Sequence, residues 1–369
     1  MKLPRPRLAM AGIAGVAAAA MLLSACGGSD DAASSSSTSS SAASSSAASS
    51  SAASSSAGSS STGGGAAAAG GLPATVDTMF GQVEIPVPAD GELTVVALGW
   101  SDAEIALALG VQPVAVYDWQ GFGEEHKGVG PWATERFGDV EPTVLANTGD
   151  SLDYEAIQVL DPDLILNTRS AGDQAQYDRL SQIAPTVSPP ADTAAFGTAW
   201  DVQTQLVADA LGLSADGETL VGQVEETITE AADANPQFAG KTAVSGTKFG
   251  DAYGAYIAGD ARWDLLADLG FEQNPPVLAL PAQGFYVPVS AEQITAFDAD
   301  VAVMFPIGYT LAEMEADPLI ASLAVVKDGR TVFLAADDQV AQAFSAASPL
   351  SIPIAVDGIA PQLAAIVTA

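Results

Sequence analysis

The chain has 369 residues, with 12 Lys and Arg against 45 Asp and Glu, and a formal net charge of −33 at pH 7. So acidic a chain is a poor match for nucleic acid, because phosphate binding needs Lys/Arg patches. His126 is the only histidine and Cys26 the only cysteine, which excludes a multi-histidine metal cage and an internal disulfide.

Residues 1–25 open with Lys2, Arg5 and Arg7, continue through the apolar run LAMAGIAGVAAAAMLL and reach Cys26. A basic start, a short apolar core and small residues before a cleavage point make a secretory signal. The run is shorter than the roughly 20 residues a spanning helix needs. Leu23-Ser24-Ala25-Cys26 resembles a bacterial lipobox, which implies lipidation at Cys26 and an anchor on the outer face of the cell membrane. Residues 1–25 carry three basic groups and no acid, so the mature charge moves from −33 to −36. Residues 26–75 are dominated by Ser, Ala and Gly. Such a segment has too little apolar area to offset its chain entropy and reads as a disordered tether.

The remainder, about 300 residues, exceeds what one core usually supports, so two lobes are expected. In the first, 76–211, LTVVAL (93–98) reads as a strand and SDAEIALALG as the helix after it. Ser101 and Glu104 have the spacing of a capping box, and Gly110 closes the helix. VAVYDW (114–119) is the next strand, YEAIQVL (154–160) a short helix, DLILN (163–167) a strand and YDRLSQIA (177–184) a helix. Strands alternating with helices imply a parallel or mostly parallel α/β sheet.

From Ala199 to Ala234 the pattern is helical, broken near Gly212 and Ser214. Leu220, Val221, Val224, Ile228 and Ala231 recur at helical spacing, and Asn235-Pro236 stops the run. The segment 212–236 is the expected inter-lobe helix. The second lobe, 237–369, has strands at TAVSGT (242–247), GAYIAG (254–259), VAVMF (301–305) and TVFLA (331–335). RWDLLADLG (262–270) is a helix, and a last one closes the chain. One repeat links the lobes: EAIQVLDPDLIL from Glu155 and EQITAFDADVAV from Glu292 share Glu, Ile and both Asp positions. Each reads as helix, acidic turn and buried strand.

TVVALGWSDAEIALALGVQPVAVYDW, GVGPWA, DYEAIQVLDPDLIL, RWDLLADLGF and SPLSIPIAVD occur in that order. Together they resemble the iron–siderophore ABC-transporter substrate-binding lipoproteins over roughly residues 90–369. The resemblance implies two Rossmann-like lobes joined by one long connecting helix, with the ligand cleft between them. It implies a non-enzymatic protein that captures a ferric siderophore and delivers it to a membrane ABC permease, with no cofactor and as a monomer. It also implies one exposed acid per lobe to engage permease arginines, and Glu155 and Glu292 match that position.

Ligands of open α/β sheets bind outside the C-terminal strand ends. That rule selects Trp100, Trp119, Arg169, Lys248 and Tyr309. Trp132 in GVGPWA, Tyr286 beside Phe285, and Arg262 at a helix start complete the candidates. Aromatic faces suit a chelate's organic shell, and Arg or Lys supplies donors to its oxygens. Arg169 and Arg262 could instead pair with acids such as Asp173 or Asp264. Trp200 and Trp263 read as packing residues. Haem or a corrinoid is an alternative ligand on the same fold, because haem takes an axial His or Tyr. An extracellular α/β hydrolase is disfavoured, since no G-x-S-x-G elbow, P-loop or dinucleotide fingerprint is present.

Overall fold

Alternation of apolar and polar residues builds the first element. In β1 (Ala74–Thr78) and β2 (Gly81–Ile85), Val76, Val83 and Ile85 turn inward while their neighbours face out. The two pair antiparallel, so the fold begins before residue 76, inside the stretch expected to be tether. This computed structural model describes residues 71–147 and 152–367. The signal segment, Cys26 and the tether up to residue 70 lie outside the described residues.

The first lobe continues with β3 (Val95–Ala97), α1 (Asp102–Ala108), β4 (Ala115–Asp118), β5 (Thr143–Ala146), α2 (Tyr154–Val159), β6 (Leu164–Leu166), α3 (Gln174–Leu180) and β7 (Thr186–Val187). The strands form one parallel sheet in the order β5-β4-β3-β6-β7. Buried on both faces, β3 and β6 are continuous apolar runs, as parallel strands require. The chain leaves β3 toward β4 and later crosses to β6 on the other side. The C-terminal ends of β3 and β6 therefore flank the topological switch point.

Two helices lead out of this lobe: α4 (Trp200–Ala210) and α5 (Ser214–Ala234). Gly212 sits between them at φ 71°, a conformation that ends one helix before the next begins. The 21 residues of α5 span about 30 Å at 1.5 Å per residue. It packs on α4 along one side and on helices of the second lobe along another. Val224 and Ile228 are the buried apolar positions of its expected stripe, with Leu220, Val221 and Ala231 half-buried.

The second lobe comprises β8 (Thr242–Phe249), β9 (Ala252–Tyr256), α6 (Ala261–Asp268), β10 (Glu272–Gln273), α7 (Pro275–Leu278), β11 (Tyr286–Val289), β12 (Val301–Ile307), α8 (Leu311–Glu315), α9 (Ala324–Lys327), β13 (Thr331–Phe333), α10 (Gln339–Ala346) and α11 (Ile352–Ile366). Its sheet runs β11-β9-β8-β12-β13, with β10 beside β8. Strands β8, β12 and β13 are parallel, but β9 runs antiparallel to β8 and β11 antiparallel to β9. The sheet is mixed because Gly250-Asp251 joins β8 to β9 as a two-residue hairpin loop. Gly250 has φ 56° there, which a twist-matched hairpin turn demands.

The repeat has a defined structural meaning. Thr94 N–H, just before β3, donates to Asp163 Oδ2 at 2.9 Å, and Thr242 N–H, opening β8, donates to Asp300 Oδ2 at 2.8 Å. In each lobe the second Asp of the repeat pins the start of the central strand. Ile157 and Ile294 are the matching buried anchors. The first unit is the α-helix α2, whereas its counterpart Ala291–Phe297 is a 3-10 helix, capped by Ser290 and Gln293.

Candidate functional site

Gly99, Trp100 and Ser101 carry the chain from β3 into α1. A Cβ on Gly99 would lie 2.2 Å from Asp102 Oδ2 and 2.8 Å from Thr168 N. Only glycine lets the exits of β3 and β6 approach this closely. The bend itself falls on Ser101, at φ 65°.

The capping box expected from Ser101 and Glu104 does not form. Ser101 is the N-cap residue, but its hydroxyl donates to Ala346 O at 2.7 Å, in the second lobe. Glu104 is 3% exposed and accepts from Gly130 N at 3.1 Å, Trp132 Nε1 at 2.8 Å and Ser348 Oγ. Tertiary partners, a carbonyl acceptor for Ser101 and three donors for Glu104, have taken both side chains away from the helix end. Burial pushes the Glu104 carboxyl up, against the lowering effect of its donors. The sequence segments GWSDAEIALALG, GVGPWA and SPLSIPIAVD thus converge on one carboxylate.

Asp102 holds the switch point together. Its carboxylate accepts from Gly99 N (3.0 Å), Thr168 N (2.9 Å), Thr168 Oγ1 and Gln203 Nε2 (2.8 Å). It joins the exits of β3 and β6 to α4. Burial pushes this carboxyl up too, while the same donors favour its charged form. Gln203 also donates to Trp100 O at 2.7 Å, which fixes the backbone beneath the indole.

On this platform the Trp100 ring stacks on Trp119 (centroids 4.4 Å, 10°) and on Phe196 (4.3 Å, 25°). Each such pair adds about 0.5–1.5 kcal/mol beyond its area burial. The indole is therefore packed as well as displayed. Arg169 leaves β6 with its guanidinium carbon 5.6 Å from the Trp100 ring. It is 2% exposed. Its Nε donates to Phe196 O and its Nη1 to Ala346 O, both at 3.2 Å. No carboxylate pairs with it among the described residues, and Asp173 instead caps α3. Burial lowers the Arg169 guanidinium to about 10.

Trp100 and Arg169 line a cavity of about 310 Å³ with Leu98, Tyr117, Asn167 and Gln176 among its other walls. Among the described residues its lining contains no carboxylate. A second cavity of about 310 Å³ lies between the lobes, bounded by Thr193, Thr198 and Val202 on one side and Gly259 and Phe285 on the other. The segment around Phe196 and Gly197 separates the two.

The other candidates fall into different settings. Trp119 supports Trp100 from β4. Trp132 is locked by Glu104 and packs against the cores of both lobes. Arg262 is gripped by the N-cap of its own helix, Asp260, at 2.8 and 2.6 Å, and lies 3.6 Å above the Tyr256 ring. Asp264 is not its partner. Lys248 pairs with Asp317 at 2.6 Å, beneath Tyr309 at 4.9 Å. Tyr286 donates to Gln283 Oε1 at 3.1 Å and does not line either cavity. Glu155 and Glu292 are exposed on their respective lobes. Trp263 is core, and Trp200 packs against the same core. His126 lies in a short 3-10 turn beside Glu125, away from both cavities.

Sequence reasoning missed Phe196, Tyr117, Asn167 and Gln176. Asn167 ends the strand DLILN and was open to the strand-end rule, whereas Tyr117 lies one residue inside the end of β4. Phe196 sits in an irregular loop at φ 58°, which no periodicity marks.

This arrangement of lobes, connecting helix and switch-point cavity can be set against known proteins. The model of the family described as "Periplasmic binding protein" matches residues 95–337. The chain belongs to the periplasmic binding protein family. Among solved structures, a periplasmic solute binding protein from Mycobacterium smegmatis is 30% identical, with TM-score 0.67, covering 80% of this chain and 99% of its own. The iron-uptake ABC-transporter substrate-binding protein PiaA of Streptococcus pneumoniae, solved in complex with ferrichrome, is 26% identical, with TM-score 0.66 over 79% of this chain and 98% of its own. SirA of Staphylococcus aureus, complexed with staphyloferrin B, is 23% identical with TM-score 0.63, over 78% of this chain and 98% of its own, and shows the shared fold. No curated protein matches by sequence. The chain's two-lobed α/β frame is the fold these proteins share.

Proposed function

We propose that this protein is an extracytoplasmic lipoprotein that captures a ferric siderophore and delivers it to an ABC importer. The observation that carries the reading is Arg169. A guanidinium that is 2% exposed, with no carboxylate paired to it among the described residues and set beside an aromatic stack, lines a cavity at the switch point. A buried guanidinium held only by carbonyls is costly, and a ligand's oxygens would offset that cost. Chelate oxygens are suited to that fork, and Trp100, Leu98 and Phe196 are suited to the organic shell around them. The ferrichrome complex of PiaA supports the same assignment.

In this reading Trp100 and Arg169 contact the ligand, Trp119 holds Trp100 in place, and Asp102 positions both strand exits. Arg262 and Tyr286 are near-cleft groups already engaged by Asp260 and Gln283. Lys248 and Tyr309 stabilise the second lobe rather than the ligand. Glu155 and Glu292 dock on permease arginines, and lipidated Cys26 with the 26–75 tether holds the lobes near that permease.

Titration of tryptophan fluorescence with ferrichrome is expected to show quenching with a dissociation constant below about 1 μM. Arg169→Ala is expected to weaken binding by about 100-fold. Quenching by haemin alone, or an affinity unmoved by Arg169→Ala, would overturn the reading.

A further inference from the structure

The chain has few cations, and their placement limits the charge of its cargo. This step rests on the siderophore reading above and adds which chelate class fits. Nine Lys and Arg follow residue 25, the total of 12 less Lys2, Arg5 and Arg7. Lys127, Lys248, Arg262 and Arg330 are each paired with a carboxylate at 3.0 Å or less. Arg136, Arg179 and Lys327 are exposed, and Lys241 lies at the opposite end of β8 from its C-terminal edge. Among the described residues, Arg169 is the one unpaired cation in the lining of either cavity.

The rest of its cavity is neutral. Asn167 Nδ2 donates to Gln176 Oε1 at 3.0 Å, which leaves Asn167 Oδ1 and Gln176 Nε2 without partners among the described residues. Tyr117 and Ser170 add hydroxyls, and Leu98, Trp100, Leu152 and Phe196 add apolar wall. Among the described residues, one positive charge, several neutral hydrogen-bonding groups and no carboxylate make up the recognition surface.

We propose that the cargo is a ferric trihydroxamate, and that chelates bearing several net negative charges are excluded. Three singly charged hydroxamates neutralise Fe(III), so the complex is uncharged, or cationic if an arm carries an amine. Its chelating oxygens still hold local negative charge, which one guanidinium fork can meet. Three doubly charged catecholates leave a trianion, and carboxylate siderophores retain ionised groups. Each charge beyond the one met by Arg169 would be desolvated without a partner. The mature charge of −36, from −33 less three basic residues, also repels an anionic chelate on approach.

The test is a calorimetric titration of the full chain with ferrichrome, ferrioxamine B, a ferric triscatecholate and ferric staphyloferrin B, at low and high salt. Both trihydroxamates are expected to bind at least about tenfold tighter than either anionic complex. Any residual triscatecholate binding should strengthen with salt as repulsion is screened. A triscatecholate or staphyloferrin B affinity within about tenfold of the trihydroxamates would overturn the charge rule while leaving the siderophore reading intact. Binding of none of the four would overturn the siderophore reading itself.

Discussion

The carboxylate of Glu104 and the hydroxyl of Ser348, 244 positions apart, share a hydrogen bond across the two lobes. The same carboxylate holds the Trp132 indole and the Gly130 amide. Ser348 is itself fixed by a reciprocal turn, its N–H donating to Ser351 Oγ at 2.8 Å and its hydroxyl accepting from Ser351 N at 3.2 Å. Together with Ser101 and Arg169 on the Ala346 carbonyl, this seam ties the end of α10 to the switch point.

Removing the acceptor leaves three buried donors without a partner. Glu104→Ala is expected to destabilise the protein by about 3 kcal/mol, and Ser348→Ala by about 1–2 kcal/mol. Urea denaturation measures both. If Glu104→Ala costs no more than an exposed substitution such as Glu218→Ala, the seam does not hold the lobes.

Asp264 gives a pH dependence of known sign. Burial first, then the nearby charges of Asp260 and Asp268, push its carboxyl up to about 6. The folded chain therefore keeps this proton to a higher pH than the unfolded chain does. The stability it contributes is present below about pH 4 and is lost as pH rises through about 6. Asp264 is half-buried, so after solvent screening the effect is about 1 kcal/mol. The difference in unfolding free energy between wild type and Asp264→Asn is expected to fall by that amount from about pH 4 to about pH 7. A flat difference across the range would contradict the assignment.

The proposed docking on a permease can be tested separately from ligand binding. Glu155 and Glu292 are exposed and occupy matching positions in the two lobes. The double substitution Glu155→Ala and Glu292→Ala is expected to abolish siderophore-dependent iron uptake. Ligand affinity should change by less than about twofold, because neither residue lines a cavity. Unimpaired uptake by the double variant would remove both residues from the interface.

Anchoring is tested at Cys26, outside the described residues. Cys26→Ser is expected to move the protein from the membrane fraction to the soluble fraction, because the proposed lipidation would supply the membrane affinity. Retention on the membrane would require another anchor.

Much of this protein is legible along the chain. Continuous apolar runs gave β3, β6 and β12, and the Gly212 break separated α4 from α5. The shared Glu, Ile and Asp positions marked equivalent units whose second aspartates each pin a central strand. Trp100 and Arg169 stand out as candidates because strand ends in a parallel sheet are where ligands bind. These features depend on local periodicity and on topology rules that act over a few tens of residues.

Other features became visible only in three dimensions. The spacing of Ser101 and Glu104 favours a local cap, yet both side chains turn to the second lobe. A buried seam offers donors that a helix end cannot match. Arg262 stands where the helix dipole disfavours it, and Asp260, two positions earlier, compensates in a bidentate pair. Lys248 follows a strand end as Arg169 does, but Asp317 neutralises it. Composition and periodicity determine the acidity, the two α/β lobes and the strand ends where a ligand can lie. Which few cations stay unpaired depends on long-range approach between side chains, and only the tertiary structure decides that.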